Sequence, residues 1–206
     1  LGVHAVHNAT FVVILSPVGA YYAEGLNPVK ISIESEDVRA VRGGTGYAKC
    51  GGNYAASLQS LAIAKKAGYS STIYLDAKEK KYIDECGPAN FFGIKNKTYI
   101  TPQSESILPS ITNKSLQQLA EHLGYKVERR PVPFEELSEF EEVAECGTAA
   151  VITPIRKIVD PIANRTFTYG DPEVPGPVCT ELYNVYTAIQ FGETEDVFGW
   201  TEVVDV

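Results

Sequence analysis

The 206-residue sequence contains no methionine, one tryptophan and only three histidines. His4 and His7 fall in an N-terminal loop and His122 near a helix end, so a histidine-built metal site is not expected. Cys50, Cys86, Cys146 and Cys179 are far apart and show no CxxC or other metal-ligand spacing. In an acidic chain, such scattered cysteines read as reduced and mostly buried. A basic excess is also missing: the formal charge is -8, which argues against a nucleic-acid partner. No apolar run reaches the length of a membrane span, and no stretch reads as a signal peptide. The longest run, Phe11-Val12-Val13-Ile14-Leu15, suits a buried strand. With no initiator methionine, the chain opens on Leu1-Gly2-Val3 and is expected to be a piece of a longer protein.

What the chain has is glycine at one place. Five glycines fall between Gly43 and Gly52, with Lys49 among them. Glycine lets backbone approach a ligand closely, and a helix-prone run follows from Tyr54 to Ala67, with Leu58, Leu61, Ala62 and Ala64 spaced for one buried face. Strands are expected at Thr10 to Pro17, Val29 to Glu34, Ser71 to Asp76, Tyr82 to Glu85, Asn90 to Lys95 and Thr98 to Thr101. A helix at Asn113 to Leu123 carries the stripe Leu116, Leu119, Ala120, Leu123. Lys126 to Arg130 reads as a strand and Phe134 to Leu137 as a short helix. Ala149 to Thr153 reads as a strand that continues past Pro154. Pro161 to Pro175 reads as a proline-rich loop, and a last helix spans Gly176 to Phe191. Meanders interrupted by helices favour an α+β fold, or mixed α/β, with an antiparallel barrel-like sheet and helices outside it.

Four places could carry chemistry. Lys49 can form an imine with a carbonyl once its amine is neutral. Glu85, on a strand before Cys86-Gly87, is either an exposed side chain or a carboxylate facing a cationic ring nitrogen. Ile111 and Thr112 open a helix, where free N–H groups favour an anion; taken alone, an ordinary cap by Ser110 or Asn113 is the simpler reading. Gly147-Thr148-Ala149-Ala150 is a small-residue turn able to offer N–H groups to a phosphate or carboxylate. Together they make a plausible site for pyridoxal 5′-phosphate (PLP), an aldehyde cofactor.

In order and wording the chain resembles the branched-chain amino acid aminotransferases, PLP enzymes of fold type IV. The matching words are Gly43-Gly-Thr-Gly, Lys49-Cys-Gly-Gly-Asn-Tyr-Ala-Ala-Ser57, Tyr74-Leu-Asp-Ala77, Glu85-Cys-Gly87 with Asn90-Phe-Phe92, Ile107-Leu-Pro-Ser-Ile-Thr112, Cys146-Gly-Thr-Ala-Ala150 and Gly176-Pro-Val178 with Ile189-Gln-Phe-Gly192. The resemblance implies transfer of amino groups between leucine, isoleucine or valine and 2-oxoglutarate. Lys49 matches the lysine of the internal aldimine, Tyr54 the tyrosine at the cofactor's phenolic oxygen and Glu85 the carboxylate at the pyridine nitrogen. Ile111, Thr112 and Thr148 match phosphate contacts. Thr148-Ala149 matches the turn that receives the substrate carboxylate, and Val3 and Tyr21 match pocket-lining positions, with Val3 reaching the partner subunit's site. The resemblance also implies a cytoplasmic homodimer. The chain would be the large cofactor domain, with residues 1–8 left from an interdomain loop and a smaller N-terminal domain absent; alone it would bind PLP weakly. Pro88-Ala89 and Ser110 depart from the family's wording, and Ala150 and Thr153 stand where some members carry a CxxC redox pair. The alternative is another fold-type-IV activity, a D-amino acid transaminase or an aminodeoxychorismate lyase.

Overall fold

Short runs of branched and aromatic residues separated by turn residues give a strand-rich fold, with three helices among the described residues. The structure, a computed structural model, describes residues 2–17 and 26–204. In chain order the elements are β1 (Val29–Glu34), α1 (Gly51–Lys66), β2 (Ser71–Leu75), β3 (Tyr82–Cys86), β4 (Asn90–Lys95), β5 (Thr98–Pro102) and α2 (Ile111–His122). They continue as β6 (Lys126–Arg130), β7 (Val132–Pro133), a 3-10 turn at Phe134–Glu139, β8 (Glu142–Gly147), β9 (Val151–Asp160), β10 (Arg165–Thr168) and α3 (Pro177–Gln190).

The strands join one sheet in the order β6-β5-β4-β8-β9-β1-β2-β3-β7, with β10 added to β9. The sheet is mixed rather than wholly antiparallel. Two of its parallel pairs, β1 with β2 and β5 with β6, come from the helical crossovers α1 and α2, because parallel neighbours need a long connection. The antiparallel β4–β5 pair closes through Asn96 and Lys97, both at positive φ (49° and 57°), as a tight two-residue hairpin requires. Side chains from both ends of the strand order meet in one apolar cluster: Ile31 and Ile73 with Ile83, Phe91 and Ile100. The sheet therefore curls around its own interior, which makes it barrel-like. A second cluster seals the outside, where Leu116 and Leu119 of α2 and Leu182 of α3 pack on Phe92 and Tyr99. The latter two rings stack at 4.5 Å.

Helix α3 shows how local chemistry sets an element's start. Pro177 occupies its first turn, where its missing N–H costs nothing. The Glu142 carboxylate accepts the Val178 and Cys179 N–H groups, both at 2.9 Å. A Cβ on Gly176 would lie 2.1 Å from that carboxylate, so a side chain there would push Glu142 off the helix start it caps.

Several expectations are corrected. Residues 10–17 form no strand, and Phe11 to Leu15 are exposed; no described strand pairs with them. The Pro161 to Pro175 stretch is not all loop, because Arg165 to Thr168 hydrogen-bonds along β9. Glu142 to Gly147, to which the sequence pattern assigned no element, is a buried central strand, β8. The first helix begins at Gly51 and buries Asn53, Ser57, Ser60 and Ala64, while Leu58 and Ile63 are each 62% exposed. Small residues win the inner face because they let α1 lie close on β2, where Ser60 Oγ and Tyr74 Oη hydrogen-bond.

Candidate functional site

The glycine-rich loop is folded by its own polar groups. The Asn53 amide, 5% exposed, donates to the carbonyls of Thr45 and Ala48 at 2.7 Å each. It also accepts the Thr45 hydroxyl at 2.7 Å. A Cβ on Gly46 would stand 2.1 Å from the Ser106 carbonyl oxygen, so the loop seats against that segment only through glycine. Lys49 follows directly, with an exposed side chain. Hydrogen bonding from the Thr45 hydroxyl and the Asn53 N–H lowers the neighbouring Cys50 thiol.

Glu85 is buried at 3% exposure. A bulge places it. Leu75 pairs with Ile83 and Ile73 with Cys86, so Tyr74 of β2 stands opposite both Asp84 and Glu85 of β3. Ile83 and Cys86 both reach the interior cluster, and Glu85 escapes the interior that simple alternation would assign to it. Its Oε1 meets Arg39 Nη1 at 2.5 Å, and Arg39 Nε also donates to the Gly87 carbonyl at 3.0 Å. The guanidinium lies 5.7 Å from the centroid of the Tyr54 ring, within cation–π reach. Asn90 Nδ2 donates to Glu85 Oε2 at 3.1 Å. Burial pushes the Glu85 carboxyl up to about 7, against the pull of Arg39, the Leu108 N–H and Asn90. Burial also raises its neighbour Asp84 to about 6, against the Ser104 hydroxyl.

Helix α2 brings an anion cradle to the same region. Its Ser110 cap accepts the Asn113 N–H at 3.2 Å. Among the described residues the N–H groups of Ile111 and Thr112 have no acceptor, so they remain available to an anion. Thr112 is buried and the Ile111 side chain exposed. The Thr148–Ala149 turn joins β8 to β9. Asn90 pairs with Cys146 across β4 and β8, and a Cβ on Gly147 would lie 3.7 Å from Ala89 Cβ, which sets the turn beside the Glu85 loop. Val151 closes it at φ 60°, an unfavourable region for a branched side chain.

The structure thus joins Tyr54 to Glu85 through Arg39, and Glu85 to the start of α2 through Asn90. Val3 stays fully exposed in the N-terminal segment, apart from these residues. Tyr21 lies outside the described residues. Arg39, Asn53 and Asn113 were missed by sequence reasoning. Only Asn53 left a signal, as a polar residue fixed between the glycines and the helix. Among the described residues no group of histidine, cysteine and acidic side chains is placed to hold a metal ion. No helix there is long and apolar enough to cross a membrane.

Comparison with known proteins gives consistent results. The profile of the family described as Amino-transferase class IV matches residues 5–158. A probable branched-chain-amino-acid aminotransferase of Staphylococcus aureus is 47% identical over 99% of the chain. The chain spans only 58% of that relative's length. The crystal structure of the Escherichia coli branched-chain amino acid aminotransferase superposes with a TM-score of 0.78 at 36% identity, over 90% of this chain and 59% of that one. The branched-chain amino acid aminotransferase of Thermobaculum terrenum, in its PLP form, superposes with a TM-score of 0.70 at 29% identity. That match covers 81% of this chain and 52% of the other.

Proposed function

Because this chain belongs to the class IV amino-transferases, we propose that it serves PLP-dependent transamination of leucine, isoleucine or valine with 2-oxoglutarate. The observation that carries the reading is the buried Glu85, turned out of the barrel interior by the β3 bulge and held between Arg39 and Asn90. The donor set fits the cofactor. An exposed amine at Lys49 and the Tyr54 ring stand for the aldehyde side. A buried carboxylate suits the ring nitrogen, and the unpaired N–H groups of Ile111 and Thr112 suit the phosphate.

When bound, PLP supplies an electron sink for the charge left when the substrate's Cα proton departs. Lys49 Nζ would hold the cofactor's aldehyde and, once the substrate amine has displaced it, would be free as the base that moves the Cα proton. The Glu85 carboxylate would face the cofactor's ring nitrogen and favour its protonated form, with Arg39 balancing the carboxylate's charge. Tyr54 would hydrogen-bond the phenolic oxygen, and the N–H groups of Ile111 and Thr112, with Thr148, would hold the phosphate. Thr148 and Ala149 would orient the substrate carboxylate, while Val3 would line the partner subunit's side-chain pocket. A homodimer is supported by the apolar residues left exposed, Leu58 and Ile63 on α1 and Phe11 to Leu15. Four free thiols suit a reducing compartment such as the cytoplasm.

Reconstitution of the full chain with PLP, followed by borohydride, tests the assignment. The label is expected on Lys49 and lost in Lys49→Ala. Labelling of another lysine would overturn it. Turnover of L-leucine but not D-alanine separates the branched-chain reading from a D-amino acid transaminase.

A further inference from the structure

Behind Glu85 runs a chain of amides whose polarity is set far from the carboxylate. Thr101 Oγ1 donates to the Phe91 carbonyl at 2.8 Å. Its proton is engaged there, so it can only accept from Asn113, whose Nδ2 stands 2.9 Å away. That choice turns Asn113 Oδ1 toward the Tyr99 hydroxyl at 2.9 Å and Gln117 Nε2 at 3.2 Å. The second Nδ2 proton of Asn113 points to Asn90 Oδ1 at 3.4 Å. Asn90 must then present its own Nδ2 to Glu85 Oε2, at 3.1 Å, and to the Leu108 carbonyl, at 3.3 Å. An amide has one donor end and one acceptor end, so each orientation dictates the next. Every residue of the chain is buried: Thr101 is 1% exposed, Asn90 4% and Asn113 7%.

We infer that Asn113 is a positioning residue for Glu85: through Asn90 it fixes an N–H, and not a carbonyl oxygen, against the carboxylate. The inference rests on the proposed role of Glu85 at the cofactor's ring nitrogen. Asn113 also sits one position after Thr112 on α2, so two amides in series, Asn113 and Asn90, tie the helix start proposed for the phosphate to the carboxylate proposed for the ring. The two ends of the cofactor are then registered to each other by side chains that touch neither. The other charged or titratable groups acting on Glu85 are Arg39, Asp84 and Cys86.

The test uses the full chain without cofactor, so its outcome does not depend on whether Lys49 is the labelled lysine. Asn113→Asp puts acceptors where Asn113 donates. Asn90 should reverse and set its oxygen against Glu85. The Glu85 titration midpoint, read from its side-chain carboxyl 13C shift, should then rise by about one pH unit, with a matching change in the Asn90 side-chain amide resonances. Thr101→Val keeps the volume but frees Asn113 to turn. It should give doubled or exchange-broadened Asn90 amide signals, and it serves if the aspartate variant does not fold. The charge added by Asn113→Asp would itself raise Glu85, so the Asn90 amide resonances decide: left unchanged in the folded variants, they overturn the inference and leave Asn113 a packing residue. If they change but borohydride labels a lysine other than Lys49, the relay stands and the cofactor assignment falls.

Discussion

Arg39 Nη1 stands 2.5 Å from Glu85 Oε1, and each side chain is 4% exposed. A pair this dry is costly to break by halves, because the survivor is left charged in a poor solvent. Arg39→Met should destabilise the chain by about 3–5 kcal/mol near pH 8. The Glu85 value in the fold already lies above its ordinary value, and loss of Arg39 raises it further. An acid shifted upward contributes stability at low pH that is lost as pH rises through its folded value. Much of the deficit should therefore disappear near pH 5. Denaturant titrations at the two pH values check this; equal losses at both would mean that only packing was removed.

Asp84 should show the same sign more gently. Its folded value, about 6, lies above the ordinary 3.8 because of burial. Its contribution is present below about 3.8 and lost as pH rises through 6. Asp84→Asn keeps the size and the hydrogen bond to Ser104, so it should stabilise the protein by roughly 1–3 kcal/mol at pH 8 and hardly at all at pH 4. Melting temperatures across that range read the difference.

The glycine loop should be sensitive at two places for two reasons. Gly46→Ala drives a methyl into the Ser106 carbonyl and should cost about 2–4 kcal/mol. Asn53→Ala removes the side chain that ties Thr45 to Ala48 and should cost about 2–3 kcal/mol. In that variant, amide exchange at Ala48 and Cys50 should accelerate, which would show that the segment around Lys49 has been released.

On α1 the polar and apolar positions should behave in reverse of their residue types. Leu58→Gln, at an exposed site, should change the stability of the monomer by no more than about 0.5 kcal/mol. Ser60→Leu, at a site 2% exposed against Tyr74, should cost about 1–3 kcal/mol through overpacking. Chemical denaturation of dilute protein separates the two.

Much of the fold was legible where one rule governed a segment. Asn90 to Lys95 and Lys126 to Arg130 are strands as their patterns require, and the stripe of α2 reads directly from Leu116, Leu119 and Ala120. The inner face of α1 was not legible, because apolar spacing names the wrong side when close approach to a sheet matters more than hydrophobic area. Lys49, Glu85 and the α2 start stood out as candidates, the first by its glycines and the last by its cap. Arg39 did not. It and Arg42 share one short loop, yet Arg39 is buried against Glu85 while Arg42 pairs with Glu105 in solvent. Nothing local distinguishes them; the difference is made by a carboxylate 46 residues further along the chain.

The extra residue of β3 makes the count of residues as consequential as their identity. A substitution at Asp84 or Glu85 changes one side chain. Deletion of a single residue between Ile83 and Cys86 would restore strict alternation. One acidic side chain would then remain opposite Tyr74 where two now stand, and the strand would lose the slack that turns Glu85 toward Arg39. Among changes that preserve an open reading frame, shortening β3 by one codon should therefore be tolerated far less well than replacing either acid.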